Sequence, residues 1–181
     1  MHIMIDLETL STRPDAAIVE IGAVLFEAKG RGKIRNDKPF STYVAVQDGG
    51  GSIDNGTLAW WLRQPNAAAL GDGLETAIPL AEALRLFVEW PTEALGIEWA
   101  DVEGIWGKPS NFDVAVLQSA FARFGMLPPW DHRITRDART LFALTGGAPE
   151  IDWTGLEAHK AFDDALGQAM QVQVAMGAAS R

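Results

Sequence analysis

Cysteine is absent from the 181 residues, which excludes disulfides, thiolate zinc sites, iron–sulfur clusters and thiol nucleophiles together. Long hydrophobic runs are absent too, and none approaches the roughly 20 apolar residues of a membrane span. The opening MHIMIDLETL meets an acid at Asp6 without a basic lead, so no secretory signal is expected and a cytoplasmic location is. Positive charge is scarce: 15 Lys and Arg face 24 Asp and Glu, a formal net charge of −9. Phosphate binders are usually basic, so the balance at first argues against nucleic acid. No repeat or low-complexity stretch divides the chain, and residues 1–181 read as a single domain. With 48% hydrophobic and 22% charged residues, the composition is that of a globular protein.

The first third has the period of strands. Ile3, Ile5 and Leu7 alternate with Met4 and Asp6, Ala16–Phe26 is a nearly unbroken β-favouring run containing IVEIGAVLF, and Phe40–Val46 forms a third. Polar breaks at 11–15 and 29–38 make these an antiparallel meander. After the loop 47–56 the period changes. Helices are expected over 57–64, 79–90, 112–124 and 161–176, with a helical turn through Leu144. Leu117, Ala120, Phe121 and Phe124 should face the core, with Ser110 or Asn111 as the cap of that helix. Strands are expected at 102–107 and 133–136. The sum is an α/β fold, a mixed sheet flanked by helices.

Chemistry concentrates in three segments. Asp6 and Glu8 end the first strand and, two apart, point to one face. Such a pair is either a solvated strand end or a hard-oxygen site for Mg²⁺ or Mn²⁺. Asp113 opens a helix after a strand, where an acid serves the helix dipole or stands at the same sheet edge as Asp6. His159 and Asp164, five residues apart, lie about 140° apart round an ideal helix. They can meet only if His159 precedes the helix. On helix geometry alone Asp163 is the better partner, and the choice stays open between the two.

Taken in order, DLET at 6–9, NFD at 111–113 within WGKPSNFD, and HKAFDDA at 159–165 resemble the motifs of the DEDDh 3′–5′ exonucleases. IVEIGAV at 18–24 is similar to their second strand. TLAWWLRQ at 57–64 and TRDARTLF at 135–142 resemble the subgroup of phage-type, exonuclease VIII-like and mycobacterial-type exoribonuclease members. Trp106-Gly107 stands where proofreading relatives carry an asparagine, again as in the subgroup. The resemblance spans residue 1 to about 175.

It implies a ribonuclease H-like fold and hydrolysis of single-stranded DNA or RNA from the 3′ end, leaning to DNA. It also implies two divalent ions, Mg²⁺ or Mn²⁺, held by Asp6, Glu8, Asp113 and Asp164, with His159 as general base. Leu7 and Thr9 would meet the terminal nucleotide, and Trp60 or Trp61 would stack on a base. The other tryptophans are expected in the core or an interface, and a homodimer is in keeping with the family. A catalytically idle nucleic-acid-binding module and a small-phosphoester hydrolase are the alternative classes. Glu20 reads as a buried structural acid needing a partner. Arg136 and Arg139 read as phosphate contacts or as partners of Asp131 or Asp137. The basic stretch Lys29, Arg31, Lys33, Arg35 and Lys38 reads as a solvated hairpin or a strand-guiding rim. Eight acids between Asp72 and Glu103, opposed by Arg85 alone, read as a solvated face turned from substrate.

Overall fold

The computed structural model describes residues 1–29 and 32–179. Gly30 and Arg31 of the basic stretch, with Ser180 and Arg181, lie outside the described residues. The meander forms as expected from β1 (His2–Thr9), β2 (Ile18–Phe26) and β3 (Phe40–Tyr43). β1 and β2 pair antiparallel from His2↔Phe26 to Glu8↔Glu20, and the register slips between Glu8 and Thr9. β4 (Gly104–Gly107) lies parallel to β1, and β5 (Thr135–Asp137) parallel to β4. The sheet order is β3-β2-β1-β4-β5. All of β2 is buried, as it must be in a sheet covered on both faces.

Helices follow as α1 (Val46–Gly49), α2 (Asn55–Trp61), α3 (Ala67–Glu75) and α4 (Leu80–Leu95). Beyond β4 come α5 (Asp113–Arg123), α6 (Ala138–Leu144) and α7 (Ala161–Ala179). One face of the sheet packs Ile3, Ile5 and Ile21 against Leu84 and Phe87 of α4 and Leu117 and Phe121 of α5. The other packs Met4, Val24 and Phe26 against Phe142 of α6 and Ala165, Ala169 and Val172 of α7. The alternation read in β1 thus assigns its odd residues to one helical layer and its even ones to the other. Among the described residues no helix is long and apolar enough to cross a membrane.

Several boundaries differ from expectation, each for a local reason. β3 stops at Tyr43, and Val46 starts the one-turn α1 inside the expected strand and loop. α2 begins at Asn55 because the Asp54 carboxylate accepts the Thr57 N–H at 2.7 Å and its hydroxyl at 2.8 Å. α3 went unread because Gly71 and Gly73 break its period; it forms by laying Leu70 and Leu74 against Leu10, Val19 and Trp61. α4 runs past Trp90 through Pro91 and stops at Gly96, whose φ of 66° ends it in left-handed form. Neither Ser110 nor Asn111 caps α5: Phe112 holds that position without a side-chain bond, and the Ser110 N–H donates to Asp137 at 2.7 Å. Phe124, expected in the core, is exposed just past the end of α5. Trp90, Trp106 and Trp130 are buried, whereas Trp153 is exposed and lies across Gly167 of α7.

Candidate active site

β1 and β4 are parallel neighbours, so both deliver their carboxyl ends to one edge of the sheet. Asp6 and Glu8 leave β1 there, on the side covered by α7. Asp113 arrives from the turn after β4, where Gly107 leaves room for it: a Cβ at Gly107 would lie 3.2 Å from the Asp113 carboxylate. The start of α7 closes the site. Gly22 permits this, because a Cβ there would overlap the backbone of Ala161 and Phe162. Glu20, almost fully buried, accepts the Ala161 N–H at 3.2 Å and so fixes the same end of the helix. That is the partner its burial required.

Glu8, His159 and Asp164 each place a potential ligand atom within 4.8 Å of the other two. His159 lies ahead of α7 with φ 61°, so the helical spacing that separated it from Asp164 does not apply. Its backbone N–H donates to the Asp164 carboxylate at 2.8 Å. Asp163 turns away and accepts the Glu157 N–H at 3.1 Å. Asp6 accepts from the Gln168 amide at 2.7 Å, and Asp113 accepts the N–H groups of Lys108 (3.0 Å) and Leu7.

The acids are crowded and poorly compensated. Burial, then the charges of Asp113, Glu8 and Asp164, raises Asp6 well above the usual carboxylate range. Burial and the charges of Asp164, Glu20 and Asp113 push Glu8 up to about 8. Burial lifts Asp113 to about 7 despite its backbone hydrogen bonds. Asp164 is raised by burial too, opposed by the His159 N–H, the His159 charge and Lys108. Among the described residues no lysine or arginine forms an ion pair with any of these four acids. Buried carboxylates that repel one another beside a single imidazole are a donor set that fits a hard divalent cation.

A cleft of about 410 Å³ opens beside Glu8, lined by Leu7, Glu8, Thr9, Thr12, Gly56, Thr57, Trp60, Trp61 and Phe112. All four residues expected to meet substrate are therefore on its wall, but the two tryptophans differ. Trp61 is 3% exposed and its indole N–H donates to the Thr9 carbonyl at 2.9 Å. Trp60 is 40% exposed and sets its ring edge-on to His159, centroids 4.8 Å apart. Phe112 escaped sequence reasoning although it lies inside the NFD motif, as did Thr57 at the head of TLAWWLRQ. Arg136 turns to the backbone, donating to the carbonyls of Arg133 and Thr135, and Asp131 pairs with Arg133.

A mixed sheet in this order, with acids at the end of β1, an acid opening the helix after β4 and a His–Asp pair entering the last helix, is the ribonuclease H-like fold of the DEDDh nucleases. Cell-death related nuclease 4 (CRN-4) has a similar structure, with a TM-score of 0.68 at 18% identity over 95% of this chain. This chain spans 62% of the length of CRN-4. The nuclease domain of 3′hExo, a DEDDh family member bound to rAMP, matches with a TM-score of 0.57 at 15% identity, over 95% of this chain and 89% of that one. No curated protein matches significantly. The family model of the 3′-5′ exoribonuclease Rv2179c-like domain matches residues 1–176. The chain belongs to that family.

Proposed function

We propose that this chain is a 3′–5′ exonuclease that hydrolyses single-stranded RNA from the 3′ end with two divalent ions, Mg²⁺ or Mn²⁺. The observation that carries the reading is the convergence of Glu8, Asp164 and His159 at the mouth of the Trp60 cleft. The family description as exoribonuclease supports RNA, in place of the lean to DNA taken from the motifs alone.

Asp6, Glu8 and Asp164 would hold one ion, and Asp6 and Asp113 would serve the second. When bound, the ions offset the phosphate charge and acidify the attacking water. Leu7, Thr9 and Trp60 hold the last nucleotide, and Trp61 braces Thr9 from behind. His159 takes the proton of the attacking water as its oxygen bonds to phosphorus. The bond from phosphorus to the 3′ oxygen of the penultimate sugar breaks, that oxygen is protonated from solvent, and a 5′-monophosphate leaves. Lys108 and Arg139, on the β4–β5 side of the acids, meet the phosphates upstream of the cut. Lys108 donates to the Gln171 amide of α7 at 3.3 Å, and Arg139 is exposed at the start of α6.

The test uses 5′-labelled RNA and DNA oligonucleotides of one sequence with Mg²⁺ or Mn²⁺. The expected product is a ladder shortening from the 3′ end, faster on RNA and absent with chelator. Faster shortening of DNA overturns the substrate choice, and intact oligonucleotides in both arms overturn the reading.

A further inference from the structure

Asn66 occupies the N-cap of α3, where asparagine ordinarily turns its side-chain oxygen onto the free N–H groups of its own helix. Here no side chain caps α3, and the Asn66 Oδ1 atom is buried without a hydrogen-bond partner. The amide nitrogen instead reaches 92 residues along the chain, donating to the Ala158 carbonyl at 3.0 Å and the His159 carbonyl at 3.3 Å. Exchanging nitrogen and oxygen would set the oxygen against two carbonyls, so the acceptors themselves fix the orientation. A cap forgone and a buried oxygen left unpaired are both local costs. What they secure is the backbone at 158–159.

That backbone has need of it. His159 holds a left-handed φ of 61°, a conformation a non-glycine residue keeps only when its surroundings impose it. Among the described residues no helix or strand lies between Leu144 and Ala161. From the α7 side, Asp164 holds the His159 N–H and Asp163 the Glu157 N–H. Asn66 grips the segment from the opposite side. Trp60, on the adjoining α2, bears on the imidazole itself.

We infer that Asn66 is a positioning residue for His159: its two N–H donors fix the 158–159 carbonyls and keep the imidazole beside Glu8 and Asp164. The inference rests on the proposed role of His159 as base. It makes the α2–α3 hairpin serve two ends at once, α2 walling the cleft and the turn after it holding the base.

A double-mutant cycle tests it. Asn66→Asp keeps the size and caps α3 at least as well, but offers no N–H. It should melt no lower than the wild type and lose about 10- to 30-fold in kcat, part of the roughly 10²–10⁴-fold a general base contributes. KM should stay within about twofold, since binding is untouched. Asn66→Ala should lose kcat by the same factor. In a His159→Ala background Asn66→Asp should change kcat by less than about twofold, because no base is left to misplace. Wild-type kcat in both Asn66 variants, an equal loss in both backgrounds, or an effect on KM alone overturns the positioning role and leaves His159 in place. A His159→Ala enzyme working at the wild-type rate overturns the base assignment, and the positioning role with it.

Discussion

Glu8 is held under a conflict that no neighbouring residue relieves. It faces Glu20 across the β1–β2 ladder and Asp164 across the site, and it is buried. Glu8, raised to about 8, and Asp113, raised to about 7, bind their protons more tightly folded than unfolded. Unfolding therefore releases protons, and the stability these groups contribute falls as pH rises from about 4, where unfolded carboxyls ionise, through 7 and 8. Without metal the protein should melt at a lower temperature at pH 8 than at pH 5.5. Mn²⁺ competes with those protons, so its stabilising effect should be larger at pH 8. Asp6→Asn keeps an acceptor for Gln168 and removes one repelling charge. It should abolish hydrolysis, flatten the pH dependence, and raise the metal-free Tm at pH 8 by about 2–4 °C for each kcal/mol of relief. Thermal melts with and without Mn²⁺ decide it: a metal gain independent of pH, or an Asp6→Asn variant that melts lower, removes the repulsion from the account.

Secondary structure was legible wherever one physical signal dominated. Alternation and β-branching marked β1 and β2, and both leading carboxylates fell on one face because strand geometry leaves no alternative. α3 was not legible: its two glycines erase the helical period, and only the tertiary contact with Trp61 and Leu10 forms it. The caps of α5 and α3 were misread or unread for a shared reason. Asp137 caps its own helix with one oxygen and reaches Ser110 with the other, and Asn66 spends its amide on 158–159; local spacing carries no trace of the long-range bonds. The meeting of β2 with α7 has the same character. Gly22 looks like an ordinary strand glycine in IVEIGAV, yet it is where the backbone at the start of the helix bearing Asp164 abuts the sheet. Gly22→Ala should lift the start of α7, costing about 1–3 kcal/mol as overpacked sites do, and draw His159 and Asp164 away from Glu8. The expected result is a Tm lower by several degrees together with a loss of metal-induced stabilisation. A variant with wild-type melting and wild-type metal response would place the helix contact elsewhere.

Across the whole molecule, the net charge of −9 misleads about the partner because the acids are segregated. The exposed Glu82 and Glu93 ride on α4, which covers the face of the sheet holding Ile3 and Ile5. Arg85 answers Glu89 there at 2.6 Å. Asp6, Glu8 and Asp164 lie with α7 on the other face, and Asp113 meets them from the start of α5. Lys108 and Arg139, whose charges act on Asp164 and Asp113, are in no ion pair among the described residues. Lys108 leans on a neutral amide, Gln171. A phosphate contact made there releases counterions, so it should appear in the salt dependence of binding rather than in base preference. In a His159→Ala background, which holds substrate without cutting it, Lys108→Gln should lower the slope of log K against log salt for a single-stranded RNA decamer by about 0.7–1. A dinucleotide has no phosphate upstream of the cut, so its affinity should be the same with either residue at 108. An unchanged slope for the decamer, or an equal loss on the dinucleotide, would remove Lys108 from the path of the strand and return the upstream phosphates to solvent.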